Sequence, residues 1–144
     1  MTNQMLDKSL VLFVCVHNAG RSQMAEALFN ASAAKLGLPV RAASAGTIAG
    51  SSVNPTAVQA MAEIGIDMSG ARPQQLTQGL VDQASRIITM GCGVDADACP
   101  ARFLVTEDWG LDDPAGQPIE RVREIREQIR TRVDALLEEL KKTK

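Results

Sequence analysis

The 144-residue chain has no tyrosine, one tryptophan and three phenylalanines, so aromatics make up only 3% of it and aliphatic side chains must build the core. Recognition by stacking on bases or rings has few residues to use. The chain also lacks an excess of positive charge. Its 15 Lys and Arg stand against 17 Asp and Glu, a formal net charge of -2, whereas nonspecific nucleic-acid binding requires a basic surplus. No window approaches the roughly 18 consecutive apolar residues of a membrane span, and the N-terminus shows no basic flank, apolar stretch and cleavage site. The expectation is a cytoplasmic, monomeric protein of one domain over residues 1–144, binding neither nucleic acid nor membrane. Three cysteines are too few, and odd in number, for a disulfide framework in a reducing compartment. They are packing residues, metal ligands or chemistry.

What is present alternates between strand and helix. The continuous apolar run Leu10 to Val14, ending at Cys15, reads as a strand buried on both faces. After the loop Val16 to Gly20, the stretch Ser22 to Leu36 has helical composition and spacing and is closed by Gly37 and Pro39. Val40 to Ala45 predicts a second strand, and Asn54-Pro55 an N-cap with proline in the first turn of a helix reaching about Ile64. A weaker helix over Leu76 to Gln83, strands over Arg86 to Met90 and Phe103 to Val105, and a loop over Asp108 to Pro118 follow. Ile119, Val122, Ile125, Ile129, Val133, Leu136, Leu137 and Leu140 then mark one face of a long final helix. Its other face interleaves Arg with Glu and Asp, the pattern of a solvated surface. The sum is a three-layer α/β sandwich with a four-stranded, mainly parallel sheet and a ligand site beyond the strand C-termini. Cys15 sits there.

The segment Cys15-Val16-His17-Asn18-Ala19-Gly20-Arg21-Ser22 puts a cysteine at a strand end, turns through a glycine and opens a helix with arginine and serine. That arrangement makes an anion cradle. Loop amides and the helix N-terminus can converge on a tetrahedral oxyanion, and Arg21 can bind two of its oxygens. The same field favours a thiolate, and Ser22 is placed to donate to the Cys15 sulfur, which suits a nucleophile better than a packing thiol. Asn18 tolerates left-handed backbone and can bond neighbouring groups, while His17, the single histidine, is expected to face outward in a nonessential role. A leaving oxygen needs an acid, and Asp112 and Asp113, ahead of Pro114, are both candidates on spacing alone.

Cys15 to Ala27, Ser44-Ala45-Gly46, Val53-Asn54-Pro55 and Trp109 to Gly116 together resemble the arsenate reductases built on the low-molecular-weight protein tyrosine phosphatase fold, and the likeness covers nearly the whole chain. The resemblance implies Cys15 as nucleophile, Arg21 and the loop backbone from Cys15 to Arg21 as oxyanion ligands, Ser22 as holder of the thiolate and Asp113 as general acid. Thr89 to Pro100, with six residues between Cys92 and Cys99, resembles the redox segment of the thioredoxin-coupled branch. In that branch a Cys15/Cys92/Cys99 disulfide relay carries oxidation from arsenate to thioredoxin, with no cofactor or metal required. His17-Asn18-Ala19-Gly20 and Met90-Gly91-Cys92-Gly93 also resemble the mycothiol-linked reductases, whose partners are mycothiol and mycoredoxin.

Some relatives bind a potassium ion, and Asn18, Glu26 and Ser44 stand where its ligands would be, although Gln74 replaces an expected aspartate. Position 20, a cysteine in some relatives, is glycine. The same cradle and acid would serve a low-molecular-weight protein tyrosine phosphatase, but Gln23 replaces its usual proline and Ala115-Gly116 its aromatic pair.

Overall fold

The computed structural model describes residues 10–90 and 107–142. Strand β1 spans Leu10–Cys15, helix α1 Arg21–Leu36, β2 Arg41–Gly46, α2 Pro55–Ala62, α3 Gln78–Gln83, β3 Ala84–Thr89, β4 Glu107–Asp108 and α4 Ile119–Lys142. The sheet has the order β2-β1-β3-β4 with all neighbours parallel, as the alternation of strand and helix predicts.

Strand β1 is buried at every residue, which its continuous apolar run requires. Period-two alternation divides its side chains between two cores. Val11, Phe13 and Cys15 pack with α1, α2 and α4, whereas Leu12 and Val14 pack with Leu76, Ile87 and the flank of α3. The first core is much the larger: Phe29 of α1 and Trp109 meet Phe13 at ring-centroid distances of 6.1 and 5.3 Å, and Val122, Ile125, Ile129, Val133, Leu136 and Leu137 close it from α4.

Local chemistry sets the helix ends. Gly37 takes a left-handed conformation, φ 69°, and its amide closes α1 on Ala33 and Ala34; Asn54 Oδ1 accepts from the Thr56 amide at 2.9 Å to start α2. Helix α3 is shorter at its start than the predicted Leu76 to Gln83. Leu76 instead extends its backbone beside Gly46, and Thr77 becomes the cap, its hydroxyl accepting from the Leu80 amide. The third strand begins two residues before the predicted Arg86, because Ala84 already pairs with Leu10. The expected strand Phe103 to Val105 lies outside the described residues, and Asp108, placed at the start of a loop by its composition, pairs with Thr89.

Because β1 pairs with β2 on one side and β3 on the other, successive connections diverge from its C-terminal end, and the crevice there is the expected ligand position of an open parallel sheet. Gly46, opposite Cys15, determines how tightly the next loop can fold into that crevice. A Cβ at Gly46 would lie 2.6 Å from the Val16 carbonyl oxygen and 3.0 Å from the Asn18 amide nitrogen, both backbone atoms. Gly46→Ala is therefore expected to destabilise the protein toward the upper end of the roughly 1–3 kcal/mol typical of overpacking, measured as a lower urea midpoint at unchanged m-value.

Candidate active site

The loop after β1 is held from outside by its carbonyls. Thr47 donates to Cys15 O, Ile48 to Val16 O, Gly50 to His17 O and Asn54 to Ala19 O, at 2.7–3.1 Å. With the carbonyls engaged by the 47–54 segment, the amides of residues 17–21 have no acceptor among the described residues. Helix α1 begins at Gly20 with no side-chain cap and no acidic residue in its first turn, so its free N–H groups and dipole face the same space. The result is a concave set of unsatisfied donors around a small pocket of about 40 Å³, lined by Cys15, His17, Ala19, Gly20, Arg21, Asn54, Asp113, Pro114 and Ala115.

Cys15, 2% exposed, lies at the pocket floor. Its Sγ is 2.9 Å from Ser22 Oγ, and the direction of that bond follows from the next one. Asn18 Nδ2 donates to Ser22 Oγ at 2.7 Å, which leaves the serine hydrogen for the sulfur. The other Nδ2 hydrogen goes to Ser44 Oγ at 2.9 Å, and Ser44 donates to Glu26 Oε1 at 2.6 Å. Asn18 Oδ1 accepts from Gln23 Nε2 at 3.0 Å and from the Gln74 amide at 2.9 Å. Asn18 is fully buried and left-handed, φ 55°, a conformation asparagine tolerates better than most residues.

Arg21 is almost completely buried. Its Nη1 donates to Met90 O at 3.3 Å and Leu111 O at 3.1 Å, which consumes both hydrogens of that nitrogen. Among the described residues, the Nε and Nη2 hydrogens have no hydrogen-bond acceptor and form the fork that suits two oxygens of a tetrahedral anion. Asp113 lines the same pocket, its Oδ2 3.9 Å from Arg21 Nη2 and its Oδ1 accepting from the Ala115 amide. Asp112 points elsewhere, into an ion pair with Arg121 on α4. Between the two carboxylates, only Asp113 is within reach of an anion in the cradle. His17 is exposed and binds the Ile48 carbonyl through Nδ1, at 3.0 Å. Cys92 and Cys99 lie outside the described residues.

Sequence reasoning anticipated the loop but missed much of its support. Gln23 makes three hydrogen bonds, to Asn18 O, Asn18 Oδ1 and Arg72 O, none of which the proline found in phosphatases could supply. Gln74 joins through its backbone amide to Asn18 and through its side chain to Ser44 O. Nothing in local spacing signals a partner 56 residues away in the chain. The residues suggested for potassium do not fit a cation in this arrangement. Asn18 turns one amide hydrogen toward Ser44 and the other toward Ser22, its oxygen is occupied by Gln23 and Gln74, and the Ser44 hydroxyl hydrogen fills the gap to Glu26.

The comparisons with other proteins agree with this geometry. A family model described as low molecular weight phosphotyrosine protein phosphatase matches residues 10–144. The chain is 38% identical over 132 residues to a putative arsenate reductase of Halobacterium salinarum, covering 88% of this chain and 89% of the relative, and 38% identical over 128 residues to a glutaredoxin arsenate reductase of Synechocystis, covering 88% and 95%. The solved structure described as an arsenate reductase in the phosphate binding state superposes with a TM-score of 0.78 at 34% identity, covering 91% of this chain and 98% of that one. A low molecular weight protein tyrosine phosphatase from T. tengcongensis gives a TM-score of 0.81 at 29% identity, covering 92% and 99%.

Two outcomes follow from the network. Ser22→Ala removes the donor to sulfur, and a hydrogen bond to a charged group is worth about 1.5–3 kcal/mol, so alkylation of Cys15 by iodoacetamide at neutral pH should slow roughly tenfold or more, read by peptide mass spectrometry. Burial pushes the Glu26 carboxyl above its ordinary value, only partly offset by the Ser44 hydrogen bond. A carboxyl raised in the folded state stabilises below its unfolded pKa and loses that contribution as pH rises through the folded value. Glu26→Gln should therefore gain stability relative to the parent as pH increases from 4 to 8, measured by urea unfolding at each pH.

Proposed function

The chain belongs to the low molecular weight phosphotyrosine protein phosphatase family, and within that family we propose that it is an arsenate reductase. The observation that carries this reading is the nucleophile Cys15, hydrogen-bonded to Ser22 at 2.9 Å in a pocket shared with Arg21 and Asp113. Relatives named arsenate reductase at 34–38% identity over most of the chain support the choice of substrate. So does the sequence itself, since a phosphatase has no use for the Cys92 and Cys99 pair.

Arsenate enters the cradle, where loop amides, the α1 N-terminus and the Nε/Nη2 fork of Arg21 hold its charged oxygens. The Cys15 thiolate forms a bond to arsenic, and one arsenic–oxygen bond breaks as Asp113 supplies the proton that lets the oxygen leave as water. Ser22 is then free of the thiolate it held. Cys92 attacks the Cys15 sulfur; the sulfur–arsenic bond breaks with its electron pair staying on arsenic, so arsenate becomes arsenite while two thiols become a Cys15–Cys92 disulfide. Cys99 attacks Cys92, releasing the Cys15 thiolate and leaving a Cys92–Cys99 disulfide for an external dithiol to reduce.

Thioredoxin is the proposed reductant, in a cytoplasmic, monomeric enzyme whose whole chain acts as one domain. Thiol exchange of this kind suits a reducing compartment, and no helix among the described residues is long and apolar enough to cross a membrane. Mycothiol with mycoredoxin is the alternative donor, and the name of the Synechocystis relative adds glutaredoxin as a third to be assayed. A second activity, hydrolysis of aryl phosphates, follows from the shared cradle and acid, and the likeness to a tyrosine phosphatase structure favours its presence at a low level.

The test is arsenate-dependent NADPH oxidation with thioredoxin and thioredoxin reductase, run beside Cys15→Ser, Cys92→Ser and Cys99→Ser. Turnover that disappears in all three variants is expected. Turnover with mycothiol or glutathione and the matching redoxin, surviving Cys99→Ser, would replace the thioredoxin relay; efficient aryl phosphate hydrolysis without arsenate reduction would replace the reductase reading. Asp113→Asn should lower the rate of adduct formation by about 10²–10⁴, the usual contribution of a general acid, measured under single-turnover conditions.

A further inference from the structure

Asn54 is tied to three separate pieces of the site. Its backbone amide donates to Ala19 O in the first loop at 2.7 Å, its side-chain Oδ1 accepts from the Thr56 amide at the start of α2 at 2.9 Å, and its Nδ2 donates to Pro114 O at 3.4 Å. The amide orientation is fixed by its partners. An N–H group can be met only by the oxygen and a carbonyl only by the nitrogen, so capping α2 forces the donor toward Pro114. Pro114 directly follows Asp113, is buried, and rests on the first loop where Gly20 has no side chain; a Cβ there would lie 2.8 Å from Pro114 Cγ.

We propose that Asn54 is a positioning residue for the acid loop, latching the Pro114 carbonyl so that Asp113 stays over the oxyanion cradle. Asp113 itself is exposed, and its side chain is held by the Ala115 amide within its own loop and by a long ion pair of 3.9 Å to Arg21. Arg121 holds Asp112 at the outer side of the loop, and Arg21 holds Leu111 O at its start. Asn54 supplies the tether at Pro114, next to the acid and on the pocket side. Among good capping residues only asparagine combines an acceptor with a donor at this length: serine is too short to reach Pro114, and aspartate has no hydrogen to give. The catalytic consequence rests on Asp113 being the acid, as proposed above, whereas the latch itself does not.

Asn54→Ser keeps a strong cap and removes the tether without adding charge, and Asn54→Asp keeps cap and length while replacing the donor with a carboxylate, whose negative charge faces the pocket. Hydrogen–deuterium exchange is read at the Ala115 and Gln117 amides, which close the acid loop on Asp113 and Pro114, and at the amides of α2. In both variants the loop amides should exchange about fivefold faster or more, with α2 unchanged, because local opening of the loop no longer breaks the tether. Unchanged loop exchange would overturn the latch, and equal acceleration in loop and α2 would reduce Asn54 to a helix cap. Arsenate turnover is measured in parallel on the uncharged Asn54→Ser variant, with kcat expected to fall several-fold and KM to stay constant. Faster loop exchange with unaltered kcat in an active enzyme would sink the positioning role, and absence of arsenate reduction in the parent protein would count against the reductase reading while leaving the exchange result to decide the latch.

Discussion

The site depends first on one buried side chain, that of Asn18. Its carboxamide makes four hydrogen bonds, two as donor to Ser22 and Ser44 and two as acceptor from Gln23 and Gln74, and so joins β2, α1 and the segment before α3 to the middle of the first loop. A fully buried amide without such partners would be costly, so the loop has one conformation that satisfies it. That conformation includes the left-handed backbone at Asn18. It also fixes the polarity of the next bond, because a serine oxygen already accepting from Asn18 turns its hydrogen to the sulfur. The orientation of the Ser22 hydroxyl beside Cys15 is thus determined by a side chain that does not itself touch the sulfur.

Much of this was legible in the sequence, for physical reasons that can be named. A strand buried on both faces needs a continuous apolar run, and Leu10 to Val14 supplies one without competing helical spacing. The cradle is local, with Cys15, Arg21 and Ser22 inside eight consecutive residues, so the chemistry it suggests can be read without knowing the fold. Asn54-Pro55 signals a helix start for the same reason. Where support comes from distant chain, the signal vanishes: Gln74 reads as an ordinary loop residue, and the need for glycine at position 46 arises only because the sheet register sets it against the first loop. Among the described residues strand β4 covers the acidic pair Glu107–Asp108, and at Asp108 pairing with β3 outweighs a composition that reads as loop.

The charged face of α4 also has a role that its pattern conceals. Arg123 and Arg126 both bind Glu63 just past α2, and Arg126 reaches the Ala60 carbonyl, so the exposed charges join two helices of the same layer. Exposed ion pairs of this sort add little stability individually. Their geometric effect is larger here, because α2 carries Asn54 at its start and Arg121 holds Asp112 in the acid loop. The surface that sequence reading assigns to solvent therefore sets the spacing between two elements lining the pocket.

Arg21 brings the remaining elements together. A guanidinium has five N–H groups, and a tetrahedral anion needs only the two directed by a flat edge. The structure uses the rest on protein: Nη1 takes the carbonyls of Met90, just beyond β3, and Leu111, at the entrance to the acid loop. The edge presented to the anion is thereby fixed in direction by two backbone segments rather than by the side chain's own rotamers, which removes entropy that binding would otherwise have to overcome. The same bonds mean that the cradle, the end of β3 and the acid loop cannot shift independently. An anion on the free edge of Arg21 therefore meets a guanidinium whose plane is already set by the Met90 and Leu111 carbonyls.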